Sequence, residues 1–217
     1  MTLDDGQAAE SLAVFVMELR ARGIRDTLVL SACERAPRER FLKPAQQRFA
    51  YKHVELPIGC GQSAPSPFEI VRRLAALAPR PRDLILEIGA GSGFQTALLG
   101  FCARRVVALE RYRTLALEAS RRLSELGIGN ASVRQGDGRD GTAAHGPYDA
   151  ILINAGLEAL PEPLVLQLAG GGRVLAPLGQ PGEERWMLLR PGSADVAPVD
   201  LGPAAVLPLA AGLAGIL

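Results

Sequence analysis

The chain has little that would support metal, redox or phosphate-backbone chemistry. Its two histidines, His53 and His145, stand far apart and outside any ligand-like cluster, so no metal centre is expected. The three cysteines, Cys33, Cys60 and Cys102, are widely spaced, form no CxxC pair and leave an odd count. That pattern points to reduced thiols and a cytoplasmic setting rather than a disulfide framework. An excess of one charge is also missing: the formal net charge is +1 and no Lys/Arg run exceeds two residues. A basic track for nucleic acid is therefore not expected. Long apolar runs are lacking too. Stretches such as 207–217 fall well short of the roughly 20 residues a membrane span needs. The opening residues, with Asp4 and Asp5, lack the basic, apolar, small-residue order of a secretory signal.

What remains is a chain of 217 residues, 48% apolar and 22% charged, long enough for one sizeable core. A single domain over 1–217 is expected, with an N-terminal helical part and substrate loop to about residue 80 and a sheet part after it. Ala8, Leu12, Phe15, Val16 and Leu19 recur at helical spacing, predicting an amphipathic helix that stops near Gly23. A second helix is expected from Asp26, a good N-cap, to just before Pro37. Residues 37–67 carry too little periodicity for a long element and read as mostly ordered loop, a feature more often functional or disordered than idle in a compact domain. Ser66-Pro67-Phe68-Glu69 then reads as a capping box opening a helix to about Ala78.

From Asp83 the pattern becomes short apolar runs alternating with helical stretches, as parallel strands joined by crossover helices require. Strands are expected at 84–88, 106–110, 131–135, 150–154 and 173–176, with helices at 94–102, 115–126 and 163–168. Two late strands are expected at 186–189 and 205–208, the last at an edge because Pro208 cannot donate to a ladder. Residues 192–202 read as a flexible connection and the Ala/Gly/Leu-rich end as a loose tail. The fold class is α/β, a doubly wound, mostly parallel sheet.

The first strand feeds Glu87-Ile88-Gly89-Ala90-Gly91-Ser92-Gly93, and a helix follows directly, where a doubly wound sheet places its ligand crevice. A dinucleotide fingerprint would need a glycine at Phe94, so the spacing disfavours NAD. Glu110 lies 23 residues after Glu87, at the end of the next strand, where a carboxylate can accept both hydroxyls of a ribose. Gly136-Asp137-Gly138 ends the third strand, where Asp137 can accept from an adenine amine. Each has a plainer reading: a ligand-free strand-to-helix turn, a solvated strand-end charge, and an Asp-Gly turn. Together, at three successive strand ends, they resemble the nucleoside site of the class I S-adenosylmethionine-dependent methyltransferases. The cofactor set is then Glu87, Gly89, Ala90, Gly91, Gly93, Glu110, Asp137 and Gly138. Methyl transfer from a sulfonium is a direct displacement that needs orientation and desolvation rather than a triad. A carboxylate acceptor, with a reference pKa of about 4, needs no general base.

Between about Leu19 and Leu189 the chain resembles the protein-L-isoaspartate O-methyltransferases. The likeness rests on Ala36-Pro37-Arg38-Glu39-Arg40-Phe41-Leu42, Ala50-Tyr51, Leu56-Pro57-Ile58-Gly59, Gly61-Gln62, Gly136-Asp137-Gly138, Tyr148-Asp149-Ala150-Ile151 and Gln167-Leu168 leading to Gly171-Gly172-Arg173. The resemblance implies a class I Rossmann-like sheet with an N-terminal helical cap. It implies S-adenosylmethionine as methyl donor and an isoaspartyl residue of a damaged protein or peptide as acceptor, the ester then leading to succinimide formation and repair. Members of the family usually read Gly-Gln-Thr-Ile-Ser-Gln-Pro, whereas this chain has Gly61-Gln62-Ser63-Ala64-Pro65-Ser66-Pro67. Pro65 replaces the serine associated with the active site and supplies neither a hydroxyl nor an amide N–H. Ser63 and Ser66 are the remaining candidate hydroxyls, Ser66 with a competing role as a helix cap and Ser63 with that of an ordinary loop serine. His53 stands where the family more often has an acidic residue, and a lone histidine is commonly a surface or packed residue. Three readings stay open: the isoaspartyl enzyme, a diverged relative that methylates another acceptor such as a small molecule or modified peptide, and a cofactor-binding protein without turnover.

Overall fold

A computed structural model of the chain describes residues 5–192 and 196–214. Two helices open it, α1 (Asp5–Ala21) and α2 (Thr27–Arg35). The Asp26 carboxylate caps α2 by accepting from the amides of Leu28 and Val29 at 2.9 and 3.1 Å, two donors that have no partner within the helix. The helix stops at Ala36, because the following Pro37 disfavours the α region there. The segment expected as loop is more regular than its composition indicates. It holds two 3-10 turns, Arg38–Phe41 and Pro44–Phe49, and a hairpin of β1 (Leu56–Gly59) and β2 (Gln62–Ala64). Helix α3 (Pro67–Leu77) then starts as its capping residues predict, with Ser66 Oγ accepting from the Glu69 amide at 3.3 Å.

The sheet follows as β3 (Leu84–Ile88), α4 (Phe94–Cys102), β4 (Arg105–Glu110), α5 (Arg113–Glu125), β5 (Ala131–Gln135), β6 (Tyr148–Ile153), α6 (Glu162–Val165), β7 (Leu168–Leu178), β8 (Arg185–Leu189) and β9 (Val199–Pro203). Seven strands lie in the order β5-β4-β3-β6-β7-β8-β9. The first five in that order are parallel, and β8 and β9 close the far edge antiparallel. The chain runs outward from β3 to β5 and then returns to the other side of β3 with β6. The topological switch, and hence the crevice, falls at the C-terminal ends of β3 and β6.

Alternation along the central strands assigns their side chains to two cores. Ile85, Val106, Ala150 and Leu152 pack with Phe15, Leu19, Val29, Val71 and Leu74, so the helical cap and one sheet face share a cluster. Leu84, Leu86, Ile88, Val107, Ile151 and Ile153 form the cluster on the opposite face. With both faces covered, β3 is buried at all five positions, which is why it reads as an unbroken apolar run. A buried arginine ties cap to sheet. Arg173 on β7 donates to the Leu77 and Ala78 carbonyls at 2.5 and 2.7 Å and pairs with Asp83 at 2.7 Å. It thereby satisfies carbonyls that the C-terminal end of α3 leaves open.

Four expectations are corrected. The helix expected at 163–168 is α6, four residues long, because Gly170, Gly171 and Gly172 favour extension and β7 already begins at Leu168. The last strand is β9, not 205–208. Its ladder with β8 is reinforced by an Arg185–Asp200 pair at 2.6 Å, and Leu201 packs from it against the core. Part of the expected flexible connection, 196–202, is therefore ordered, while residues 193–195 lie outside the described residues. The expected loose tail is likewise placed as far as 214. Residues 205–210 leave the sheet and cross the strand ends, where Gly156 donates to Leu207 O and accepts from the Leu209 amide, each at 2.8 Å. Residues 215–217, with Asp4 at the other end, are outside the described set.

Candidate active site

The ends of β3, β4 and β6 open into one cavity of about 560 Å³. Its floor is the turn after β3, where Gly89 and Gly91 adopt φ of +84° and +54°, left-handed values that L side chains rarely take. The turn is held from the next strand: the amides of Gly89 and Ala90 donate to Leu109 O at 2.8 and 3.3 Å. Glu110, 6% exposed, stands at the tip of β4 on the cavity wall. One of its oxygens accepts from the Gly91 amide at 2.9 Å, the other from the Tyr112 amide at 3.0 Å. Each carboxylate oxygen can accept more than one hydrogen bond, so both keep capacity toward the cavity. That donor-hungry carboxylate beside a close-approach glycine turn fits the ribose of S-adenosylmethionine, and the volume accommodates a ligand of that size.

Of the expected cofactor residues, Gly89, Ala90, Gly91, Glu110 and Gly138 line the cavity. Glu87 does not. It is fully buried beneath the floor, accepting from Gln95 Nε2 at 2.8 Å, Thr96 Oγ1 at 2.6 Å and Asn154 Nδ2 at 3.3 Å. Gln95 and Asn154 in turn line the cavity, so Glu87 acts through them. Burial raises its carboxyl from the ordinary 4.5 to about 7 against the opposing pull of those three donors. Gly93 is off the wall as well. A Cβ there would stand 2.9 Å from Ala119 Cβ, so its glycine answers to packing against α5. Asp137 also lies outside the lining. Its oxygens accept from the Arg139 amide at 2.9 Å and the Gly212 amide at 2.5 Å, and these two donors hold its carboxyl below the usual range. Asp137 is thus turned to the chain's own backbone and set behind the cavity lining rather than on it.

The opposite wall is the β2–α3 segment, Ser63, Ala64 and Pro65. Ser63 is exposed and its hydroxyl donates to the Glu55 carboxylate. Ser66 does not line the cavity, and its oxygen serves the cap of α3. His53 stands outside, 2.8 Å from Glu18. The segment's position depends on a residue the sequence reading did not assign a role. Arg38, 1% exposed, donates to Ala50 O at 3.0 Å and to Pro65 O at 2.7 Å. Its own amide donates to the Tyr51 hydroxyl at 3.2 Å, which donates to Glu39 at 2.8 Å. The Arg38-Glu39 and Ala50-Tyr51 motifs are therefore one scaffold for the loop. Arg73, 3% exposed, also lines the cavity unforeseen. The available signal was its place in the buried stripe of α3 with Ile70, Leu74 and Leu77, where a charge is out of pattern. Among the described residues no cluster of His, Cys, Asp or Glu could hold a metal ion, and no helix is long and apolar enough to cross a membrane.

A parallel sheet reversing beside a glycine turn, with a carboxylate at the tip of the neighbouring strand, defines a class I S-adenosylmethionine-dependent methyltransferase. A sequence profile of the protein-L-isoaspartate(D-aspartate) O-methyltransferases matches residues 10–200. A protein-L-isoaspartate O-methyltransferase of Azorhizobium caulinodans is 41% identical over 219 residues, covering 100% of both chains. One from Rhodopseudomonas palustris is 44% identical, covering 79% of this chain and 70% of its own. The chain belongs to the protein-L-isoaspartate(D-aspartate) O-methyltransferase family. Solved structures agree in fold. A protein-L-isoaspartate O-methyltransferase superposes with a TM-score of 0.84 at 23% identity, covering 93% of this chain and 67% of that one. A Plasmodium falciparum relative, solved with S-adenosyl-L-homocysteine, superposes at 0.78 and 20% identity, covering 91% and 97%.

Proposed function

We propose that this chain transfers a methyl group from S-adenosylmethionine to the free carboxylate of isoaspartyl residues in damaged proteins or peptides. The observation that carries the reading is that Glu110 and the glycine turn share a single cavity with Ser63–Pro65, so donor and acceptor ends face one chamber. S-adenosylmethionine, when bound, supplies an electrophilic methyl on a sulfonium. Glu110, Gly89, Ala90, Gly91 and Gly138 are the residues proposed to hold it. Gln95 and Asn154, fixed by Glu87, complete the polar lining, while Ile88, Phe94 and Leu109 exclude water and so strengthen the alignment of the reactants. The acceptor carboxylate is ionised near neutral pH, so this chain's task is to hold it rather than deprotonate it. We place the protein in the cytoplasm, in keeping with three unpaired cysteines, with cap and sheet acting as one domain.

Pro65 favours a second reading, in which the methyl acceptor is a different one, a small molecule or a modified peptide. It has no amide hydrogen, and Arg38 already engages its carbonyl. The test is steady-state turnover on an isoaspartyl peptide, followed by S-adenosylhomocysteine release. Weak wild-type activity that Pro65→Ser raises up to about tenfold, with unchanged cofactor affinity, fits a missing donor. Robust turnover that Pro65→Ser does not improve and Ser63→Ala abolishes moves the acting hydroxyl to Ser63. No turnover on any isoaspartyl peptide overturns the isoaspartyl assignment.

A further inference from the structure

Arg73 is charged and all but buried, and Glu69 and Glu87 act on it only through space, with neither carboxylate in ion-pair contact. Its Nε donates to the Glu69 carbonyl at 2.9 Å, which turns the side chain back along α3 toward the Ser63–Pro65 end of the cavity, the direction helix geometry favours. Its guanidinium stacks on the Trp186 ring at 4.5 Å. The neighbouring Glu69 carboxylate is engaged instead by Arg72, at 2.8 and 3.3 Å. Among the described residues Arg73 has no ion pair, and its buried Nη2 has no hydrogen-bond partner. A guanidinium does not shed its proton to escape such a site, and leaving a buried cation unpaired is costly. The planar fork matches a carboxylate, and this one borders the chamber where the proposed reaction needs a carboxylate held.

We propose that Arg73 is a carboxylate-binding residue of this cavity and that the carboxylate it takes is the methyl acceptor's. The inference rests on the proposed function for the acceptor's identity, but not for the existence of the anion site. It also gives Pro65 a context: a chain without the loop donor orients its acceptor from α3 instead.

The test uses Arg73→Met, which keeps a long side chain over Trp186, and Arg73→Lys, which keeps the charge without the fork. With an isoaspartyl peptide, Arg73→Met should raise KM about ten- to a hundredfold and change kcat by no more than about threefold. Arg73→Lys should recover part of the loss. S-adenosylhomocysteine affinity, measured by calorimetry, should be the same in all three proteins. The chain has one tryptophan, so emission from Trp186 reports on its neighbour directly. In wild type it should respond to the peptide, but not to the peptide with a carboxamide at that position, and the response should vanish in Arg73→Met. An unchanged KM in folded Arg73→Met overturns the proposal. A fall in S-adenosylhomocysteine affinity with KM unchanged assigns the carboxylate to the cofactor and overturns it equally. If wild type does not turn over the peptide at all, the proposed function fails, and Arg73 is decided separately. An emission change with acetate but not acetamide, lost in Arg73→Met, supports the site, and its absence refutes it.

Discussion

Glu87 lends itself to a quantitative test because its charge is set by burial. The folded protein keeps the proton on this carboxyl up to about pH 7, whereas the unfolded chain releases it near 4.5. Between those values the folded state binds more protons, so its stability falls as pH rises through the window, and above it the full cost is present. The width of the window corresponds to about 3 kcal/mol at pH 8. Glu87→Gln removes the charge with little change of shape. Its remaining carbonyl can keep the Gln95 and Asn154 donors, and its amide can donate to Thr96, whose hydroxyl rotates to accept. The variant is expected to match wild type or fall slightly below it near pH 4.5, and to gain progressively on it up to about 3 kcal/mol at pH 8. Urea unfolding of both proteins at pH 5, 6, 7 and 8 measures the difference, in which titrations elsewhere cancel. Stability curves that stay parallel across this range would refute the reasoning and mean that Glu87 is ionised throughout.

Other outcomes are expected at the cavity wall. Glu110→Gln leaves one carbonyl oxygen for two loop amides and the ribose, so S-adenosylhomocysteine affinity should drop about ten- to a hundredfold by calorimetry; unchanged affinity in a folded variant removes Glu110 from the site. Gly91→Val places a β-branched side chain at φ +54° with its Cβ 3.1 Å from Ile58 Cδ1, and cofactor binding should be nearly abolished in the same assay. Ser66→Ala should lower stability by about 1 kcal/mol in urea unfolding while leaving peptide turnover unchanged; lost turnover would return Ser66 to the reaction.

What the sequence made legible follows the physics of each element. Strands β3 and β4 are buried on both faces, so their apolar runs announced them, and the turn, Glu110 and Gly138 followed from position at strand ends. The hairpin β1–β2 did not stand out because three- and four-residue strands are too short for alternation to register. Strand β9 was misplaced because it is a short exposed edge strand in which Leu201 packs on the core while Asp200, Gly202 and Pro203 read as turn residues. Glu87, Gly93 and Asp137 were grouped with the cofactor residues by spacing, which cannot separate a wall from the layer behind it. Arg38 and Arg73 stayed without a role because their partners, a carbonyl 27 residues away and a tryptophan on β8, are brought close only by the fold.

The 204–214 segment is anchored in the two cores by Ala204, Val206 and Leu209 and is otherwise held through its peptide groups. Besides the exchange with Gly156, the Leu209 carbonyl takes Arg139, those of Ala211 and Gly212 take Arg111, and that of Ala214 takes Gln135, while the amides of Gly212 and Ala214 donate to Asp137 and to the Arg111 carbonyl. A cover built this way constrains the path of the chain more than the identity of its residues. Proline is barred at 204, 209, 212 and 214, where an amide is spent, and 204, 206 and 209 face the cores, but elsewhere many other side chains would serve. Its composition can drift while its shape persists, and so a stretch that reads as featureless forms part of the chamber wall.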